Sequence, residues 1–137
     1  MLDFIVEGKV KPKQSFRFSR FGCKYTPADV KEYARNIQRS FYAKYPKWLP
    51  SNFFEKPLKV EICIFMQIPK ATSKKNKETM LKHDLRPIKR PDIDNVSKNI
   101  LDALNGIVYA DDKQIVELAV KKYYAERDYI QIKITEG

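Results

Sequence analysis

The stretch Leu58-Lys-Val-Glu-Ile-Cys-Ile-Phe-Met-Gln-Ile68 puts an apolar side chain at every second position: Leu58, Val60, Ile62, Ile64, Met66 and Ile68. Successive side chains of a strand point to opposite faces, so this period of two predicts a strand with at least one buried face. Pro69 ends it, because proline has no N–H for the ladder. Cys63, inside the strand, is read as a small buried hydrophobe.

Upstream, the apolar run Leu2–Val6 before Gly8 reads as a first strand. From Lys9 to Lys24 the chain carries Lys9, Lys11, Lys13, Arg17, Arg20 and Lys24 with no acid, interleaved with Phe16, Phe18 and Phe21. This reads as an extended basic and aromatic segment, a loop with a ragged hairpin. Thr26-Pro27 then offers a hydroxyl cap and a proline at the first helical position. Val30, Tyr33, Ile37 and Phe41 recur at helical spacing, which predicts a helix to about Lys44, closed by Pro46 and Pro50.

Downstream, Lys70 to Arg90 carries eight bases against Glu78 and Asp84 and reads as a basic loop. Val96, Ile100, Leu101 and Leu104 form one face of a second helix over Asp92–Asn105, stopped by Asn105-Gly106. Ile107–Tyr109 is expected to be a short strand and Asp111-Asp112 a turn. Ile115–Tyr123 and Tyr129–Ile134 alternate as an antiparallel pair. The expected fold is α+β: a single domain over 1–137, one mixed or antiparallel sheet and two main helices.

A chain of 137 residues with 43% hydrophobic side chains suits one domain with a core of its own. Its net charge of +10 favours a polyanion, nucleic acid first, because phosphates reward clustered Lys and Arg through counterion release. A purely structural basic protein, such as a ribosomal one, is the alternative. Two cysteines outside any CxxC pair and one histidine exclude a structural zinc site by ligand count. No basic segment followed by a long apolar run opens the chain, and no run reaches the roughly 18 residues of a membrane span. The expectation is a soluble protein with no membrane partner, in a reducing, cytoplasmic setting.

The sharpest constellation is Pro91-Asp92-Ile93-Asp94-Asn95-Val96-Ser97-Lys98, followed by Tyr109-Ala-Asp-Asp112. Asp92 and Asp94 sit two apart at a helix start, and Lys98 lies four residues after Asp94 on the same helical face. Hard cations such as Mg²⁺ take one or two carboxylates plus water and phosphate oxygens, and a third carboxylate from Asp111 or Asp112 would complete such a site. A bound metal can acidify water and offset charge on a phosphodiester, and an ammonium can stabilise the same charge. The competing reading is structural: Asp as a helix cap, Asp94–Lys98 as an i,i+4 pair, Asp-Asp as a turn. Carboxylates beside a strongly basic loop favour the metal, because a surface built only to hold phosphate has no use for groups that repel it.

Arg90-Pro-Asp-Ile-Asp-Asn-Val-Ser-Lys-Asn-Ile-Leu-Asp-Ala-Leu-Asn-Gly-Ile-Val-Tyr-Ala-Asp-Asp-Lys-Gln-Ile115 resembles the signature of the RusA family of Holliday junction resolvases. Lys11–Arg20 with Tyr25-Thr-Pro27, Lys70–Lys75 and Lys121-Lys-Tyr-Tyr124 are similar to weaker family features in the same order. The resemblance implies a homodimer that binds four-way junction DNA and makes paired, Mg²⁺-dependent nicks, with Mn²⁺ as a substitute. It implies metal ligation by Asp92, Asp94 and Asp112, a catalytic Lys98, and Asp111 as an accessory acid. The rivals are a non-catalytic basic nucleic-acid-binding module and a general metal-dependent nuclease without junction selectivity.

Lys9, Lys11, Lys13, Arg17, Lys74, Lys75, Arg86, Lys89 and Arg90 are the expected phosphate contacts. Asp102 is either an orienting partner of Lys98 or a surface acid, and His83 either a phosphate contact or a solvated side chain. Phe16, Phe18 and Phe21 either stack on bases or belong to the core. Trp48 is either a lid on the core or a subunit contact, and the strands near Ile115–Val120 and Tyr129–Ile134 are candidate pairing surfaces for a dimer.

Overall fold

Residues 1–10, 17–18, 24–25 and 28–137 are described in the computed structural model of the chain. The elements run β1 (Leu2–Glu7), β2 (Arg17–Phe18), β3 (Lys24–Tyr25), α1 (Ala28–Lys44), a 3-10 turn (Pro50–Phe53), β4 (Leu58–Gln67), α2 (Lys74–Leu81), α3 (Ile93–Leu104), a second 3-10 turn (Asp112–Gln114), β5 (Ile115–Ala125) and β6 (Tyr129–Glu136). The expectations at Lys11, Lys13, Phe16, Arg20, Phe21, Cys23, Thr26 and Pro27 fall outside the described residues, and of Arg17 and Phe18 only the backbone is described: it pairs antiparallel with Lys24–Tyr25.

The alternating stretch lies at the centre of a mixed four-stranded sheet of order β1-β6-β4-β5. Leu58, Val60, Ile62, Ile64 and Met66 of β4 share one face with Ile130, Ile132 and Ile134 of β6 and Leu2, Phe4 and Val6 of β1, and all are buried. Helices α1 and α3 cover this face with Tyr33, Ile37 and Phe41 from one and Val96, Ile100 and Leu104 from the other. Each such aliphatic side chain contributes about 1.5–3 kcal/mol by leaving water, so truncating Ile62 to Ala is expected to cost about 2–5 kcal/mol. Trp48 proves to be a lid: its indole N–H donates to the Val108 carbonyl at 2.9 Å and its ring packs edge-on against Phe41 and Phe53.

Four expectations are corrected. β5 and β6 do not pair with each other; β4 lies between them, parallel to β5 and antiparallel to β6. The three-residue link 126–128 reaches about 10 Å when extended, enough to cross two strand spacings over the end of β4. There Gln67 N–H donates to Asp128 Oδ1 at 2.9 Å and Ile68 N–H to the Ala125 carbonyl at 3.0 Å. The Lys70–Arg90 connection contains a third helix, α2, capped by the Ser73 hydroxyl accepting from Asn76 N–H at 3.2 Å and anchored by buried Met80.

Ile107–Tyr109 is a turn, not a strand: Ile107 and Val108 N–H both donate to the Leu104 carbonyl, and Gly106 adopts φ 73°. Its apolar residues signal burial of Val108 and Tyr109, not sheet pairing. Cys63 is half-buried on the sheet face away from the helices, beside Glu61, and burial followed by the Glu61 charge pushes its thiol pKa up.

That second face carries Phe65, Tyr123 and Tyr129, with Phe65 stacked on Tyr129 at 4.4 Å between centroids. His83 packs on Tyr123 at 4.3 Å and the Arg86 guanidinium lies over the same ring at 4.5 Å. The segment after α2 is thereby seated on the sheet, which positions the basic residues that follow.

Candidate active site

Helix α3 begins at Asp92, whose backbone is extended (φ −75°, ψ 141°) and whose side chain makes no capping hydrogen bond. The structural explanation for an acid at that position is therefore not realised for Asp92. Asp94 lies in the first turn, exposed, while Val96, Ile100 and Leu104 turn inward at helical spacing. Asp94, Lys98 and Asp102 follow one another at i,i+4 along the outer stripe. The ion pairs among the described residues do not include Asp94 or Lys98, so this ammonium is not neutralised by its i−4 neighbour.

The second pair of acids is built differently. Asp111 caps the 3-10 turn: its carboxylate accepts from Lys113 N–H at 3.0 Å, and Gln114 Oε1 reaches back to the N–H groups of Ala110 and Asp111. The bond from Lys113, followed by one shared with Asp112, holds the Asp111 carboxyl below the usual range. Asp112 is displaced the other way: burial first, then the Asp111 carboxyl and the Asp102 charge raise its proton affinity. The backbone N–H of Asp112 donates to Asn105 Oδ1 at 2.9 Å.

Asp111 and Asp112 are thus fastened to the C-terminal end of α3, while Asp92 and Asp94 stand at its N-terminal end. The twelve residues of α3 span about 18 Å along the helix axis, and the segment after it folds back toward Leu101, whose carbonyl accepts from the Tyr109 hydroxyl at 2.7 Å. Among the described residues no group of three Asp, Glu, His or Cys side chains gathers closely enough to hold a metal ion.

Part of the basic set lines one cleft, which includes Arg90, two residues before Asp92 in the chain. Lys9, Lys70, Lys89 and Arg90 line a cleft of about 370 Å³ together with Met66, Ile68, Pro69 and the single acid Asp128. Lys74 and Lys75 are exposed on the first turn of α2, and Lys89 Nζ lies 5.9 Å from the Tyr124 ring. His83 is exposed, with its ring committed to the aromatic cluster. Asp102 lies near enough to Asp112 for its charge to raise the proton affinity of that carboxyl.

Sequence reasoning missed two positioning residues. Asn105, taken only as a helix stop, holds Asp112. Lys122, which lies in the Lys121–Tyr124 stretch similar to a weaker family feature, donates from Nζ to the carbonyls of Lys89 and Pro91 and so fixes the backbone just before Asp92.

The sequence model of the family described as Endodeoxyribonuclease RusA matches residues 7–135, a span that includes both acid pairs. The chain belongs to the RusA endodeoxyribonuclease family. It is 37% identical over 100 residues to a protein of Lactococcus phage r1t named Crossover junction endodeoxyribonuclease rusA, covering 71% of this chain and 70% of the phage protein. It is 38% identical over 89 residues to a Bacillus subtilis (strain 168) protein named Uncharacterized protein YqaN, covering 64% of this chain and 63% of that one. Among the described residues of this RusA-family chain, no helix is long and apolar enough to cross a membrane.

Proposed function

We propose that the chain is a structure-selective, divalent-cation-dependent endonuclease that resolves four-way DNA junctions by paired symmetric nicks, acting as a homodimer. The observation that carries this reading is the uncommitted carboxylate pair Asp92 and Asp94 on a strongly basic surface, in a chain of an endodeoxyribonuclease family. The name of the phage relative supports the junction as substrate.

The donor set suits a hard cation such as Mg²⁺, with Mn²⁺ as a substitute. Asp92 and Asp94 offer oxygen atoms that no cap consumes, and Asp112 sits in excess negative charge from Asp111 and Asp102. When bound, the cation offsets charge on the attacked phosphodiester and acidifies water. Lys98, exposed and unpaired with Asp94, presents its ammonium to the same phosphate oxygens. Arg90, Lys89 and Lys9 hold the strand by its backbone, joined by Lys74, Lys75, Arg86, Lys11, Lys13 and Arg17.

Among the described residues of one chain no three acids gather closely enough to hold a metal ion, and a second copy would supply the missing carboxylates. A two-fold partner that sets its Asp111 and Asp112 against Asp92 and Asp94 completes two sites at once, and two sites match two nicks. β5 is an edge strand, and its Val116 and Leu118 are exposed close in sequence to Asp112, an apolar margin fit for such a contact.

The test is cleavage of an end-labelled synthetic four-way junction in Mg²⁺, beside a linear duplex of the same sequence and an EDTA control. Paired nicks in the junction alone are expected, with Asp92→Asn binding but not cutting. Heterodimers of Asp92→Asn and Asp112→Asn chains, purified through two tags, are expected to regain single nicks, since one composite site stays intact. A wild-type protein that binds the junction yet never cuts it would establish a binding module instead.

A further inference from the structure

Ile88 is the most exposed large apolar residue described, at 101% of its reference accessibility. A lone exposed aliphatic side chain on a mobile loop carries no meaning, but this one is held in place. Its neighbours Pro87 and, three residues on, Pro91 are buried. Lys122 bridges the two feet of the loop: its carbonyl accepts from Arg86 Nε at 2.9 Å, and its ammonium donates to the carbonyls of Lys89 and Pro91. The Arg86 guanidinium is itself seated on Tyr123. The chain thus invests in fixing a backbone whose tip side chain touches only water.

The surroundings of that tip are cationic. Arg86, Lys89 and Arg90 flank it, Lys89 and Arg90 go on to line the cleft of about 370 Å³ with Lys9 and Lys70, and Asp92 follows four residues later. A DNA strand bound to Lys89 and Arg90 would pass beside the isoleucine that precedes them in the chain. The apolar environment that DNA offers to such a side chain lies between base pairs, and it opens most readily where stacking is already interrupted.

We propose that Ile88 is an apolar wedge that enters the unstacked step at a branch point, with its flanking cations gripping the backbone on either side. It is a specificity-determining residue: it favours branched over continuous duplex and aligns the strand at Asp92. The inference rests on the DNA-junction reading above and assigns to one residue the discrimination that reading requires. A second copy supplies a second wedge.

The test uses the full-length protein without Mg²⁺, a four-way junction carrying 2-aminopurine beside the branch, and a linear duplex of the same arm. Wild-type protein and Ile88→Leu are expected to raise the fluorescence, by unstacking the probe. Ile88→Ser is expected to abolish the rise and to weaken junction binding roughly ten- to hundredfold, the value of transferring one such side chain from water, with duplex binding unchanged. The wedge is overturned if the serine variant keeps the rise, if it weakens junction and duplex alike, or if the wild-type protein gives no rise. It is also overturned if light scattering shows that the serine substitution splits a dimer, since Ile88 would then be a subunit contact. Cleavage in Mg²⁺ is scored separately: a fluorescence rise without cutting would refute the nuclease reading and leave the wedge standing.

Discussion

The backbone N–H of Asp112 donates to Asn105 Oδ1 at 2.9 Å, which ties the loop bearing two acids to the end of the helix that begins at Asp92. The place of Asp112 beside the end of α3 is therefore held by one side-chain bond. Removing the acceptor with Asn105→Ala is expected to slow single-turnover junction cleavage about tenfold while costing only about 1 kcal/mol of stability, the value of one exposed hydrogen bond. Asn105→Asp keeps the acceptor but adds charge beside Asp102, Asp111 and Asp112, and is expected to raise the Mg²⁺ concentration needed for half-maximal cleavage. Equal rates and equal Mg²⁺ dependence in all three proteins would remove Asn105 from the site.

Lys122 presents the parallel case at the other acid pair. Lys122→Met keeps the stem and deletes the donors to Lys89 and Pro91. Limited proteolysis read by mass spectrometry is expected to show faster cutting between residues 82 and 91, with junction cleavage reduced several-fold. An unchanged digestion pattern would mean that the loop is held by its buried prolines alone.

Phosphate contact is readable as salt dependence. Lys89→Ala and Arg90→Ala are each expected to lower the slope of log affinity against log salt by about 1, alike on junction and duplex. Loss of affinity with no change in slope would point to packing instead.

Tyr109 is fully buried and its hydroxyl donates to the Leu101 carbonyl at 2.7 Å. Burial, then the nearby charges of Asp112, Asp102 and Asp111, pushes the phenol far above its ordinary value. A folded-state pKa above the unfolded value stabilises fully below about pH 10 and loses that contribution as pH rises beyond it. Alkaline unfolding is therefore expected to coincide with ionisation of Tyr109, and of similarly shifted Tyr33, in absorbance at the phenolate band. Tyr109→Phe is expected to cost about 1 kcal/mol at neutral pH and to move alkaline unfolding upward. Titration of Tyr109 well before unfolding would contradict the burial argument.

Local patterns were legible because they report local geometry. The period of two from Leu58 to Ile68 marked the central strand, and the apolar stripe Val96, Ile100, Leu104 marked α3, because side-chain direction follows backbone repeat. α2 escaped notice because its face is nearly all polar: Met80 alone is buried, and eight Lys-rich residues carry no apolar stripe to count. Ile107–Tyr109 misled for the opposite reason, since burial of a turn and burial of a strand leave the same apolar trace.

By itself the chain's order of residues determined the α+β class, the basic surface, the family resemblance and the acids at 92, 94, 111 and 112. Only the tertiary structure decided that β4 would lie between β5 and β6, because strand partners are chosen by packing of whole faces and by link length, not by alternation. Only the tertiary structure, too, tied Asp112 to Asn105 at the end of α3. A side-chain bond across seven residues follows from how the chain turns after the helix, with Gly106 at φ 73° and the Tyr109 hydroxyl folded back to the Leu101 carbonyl, and sequence spacing does not encode that turn.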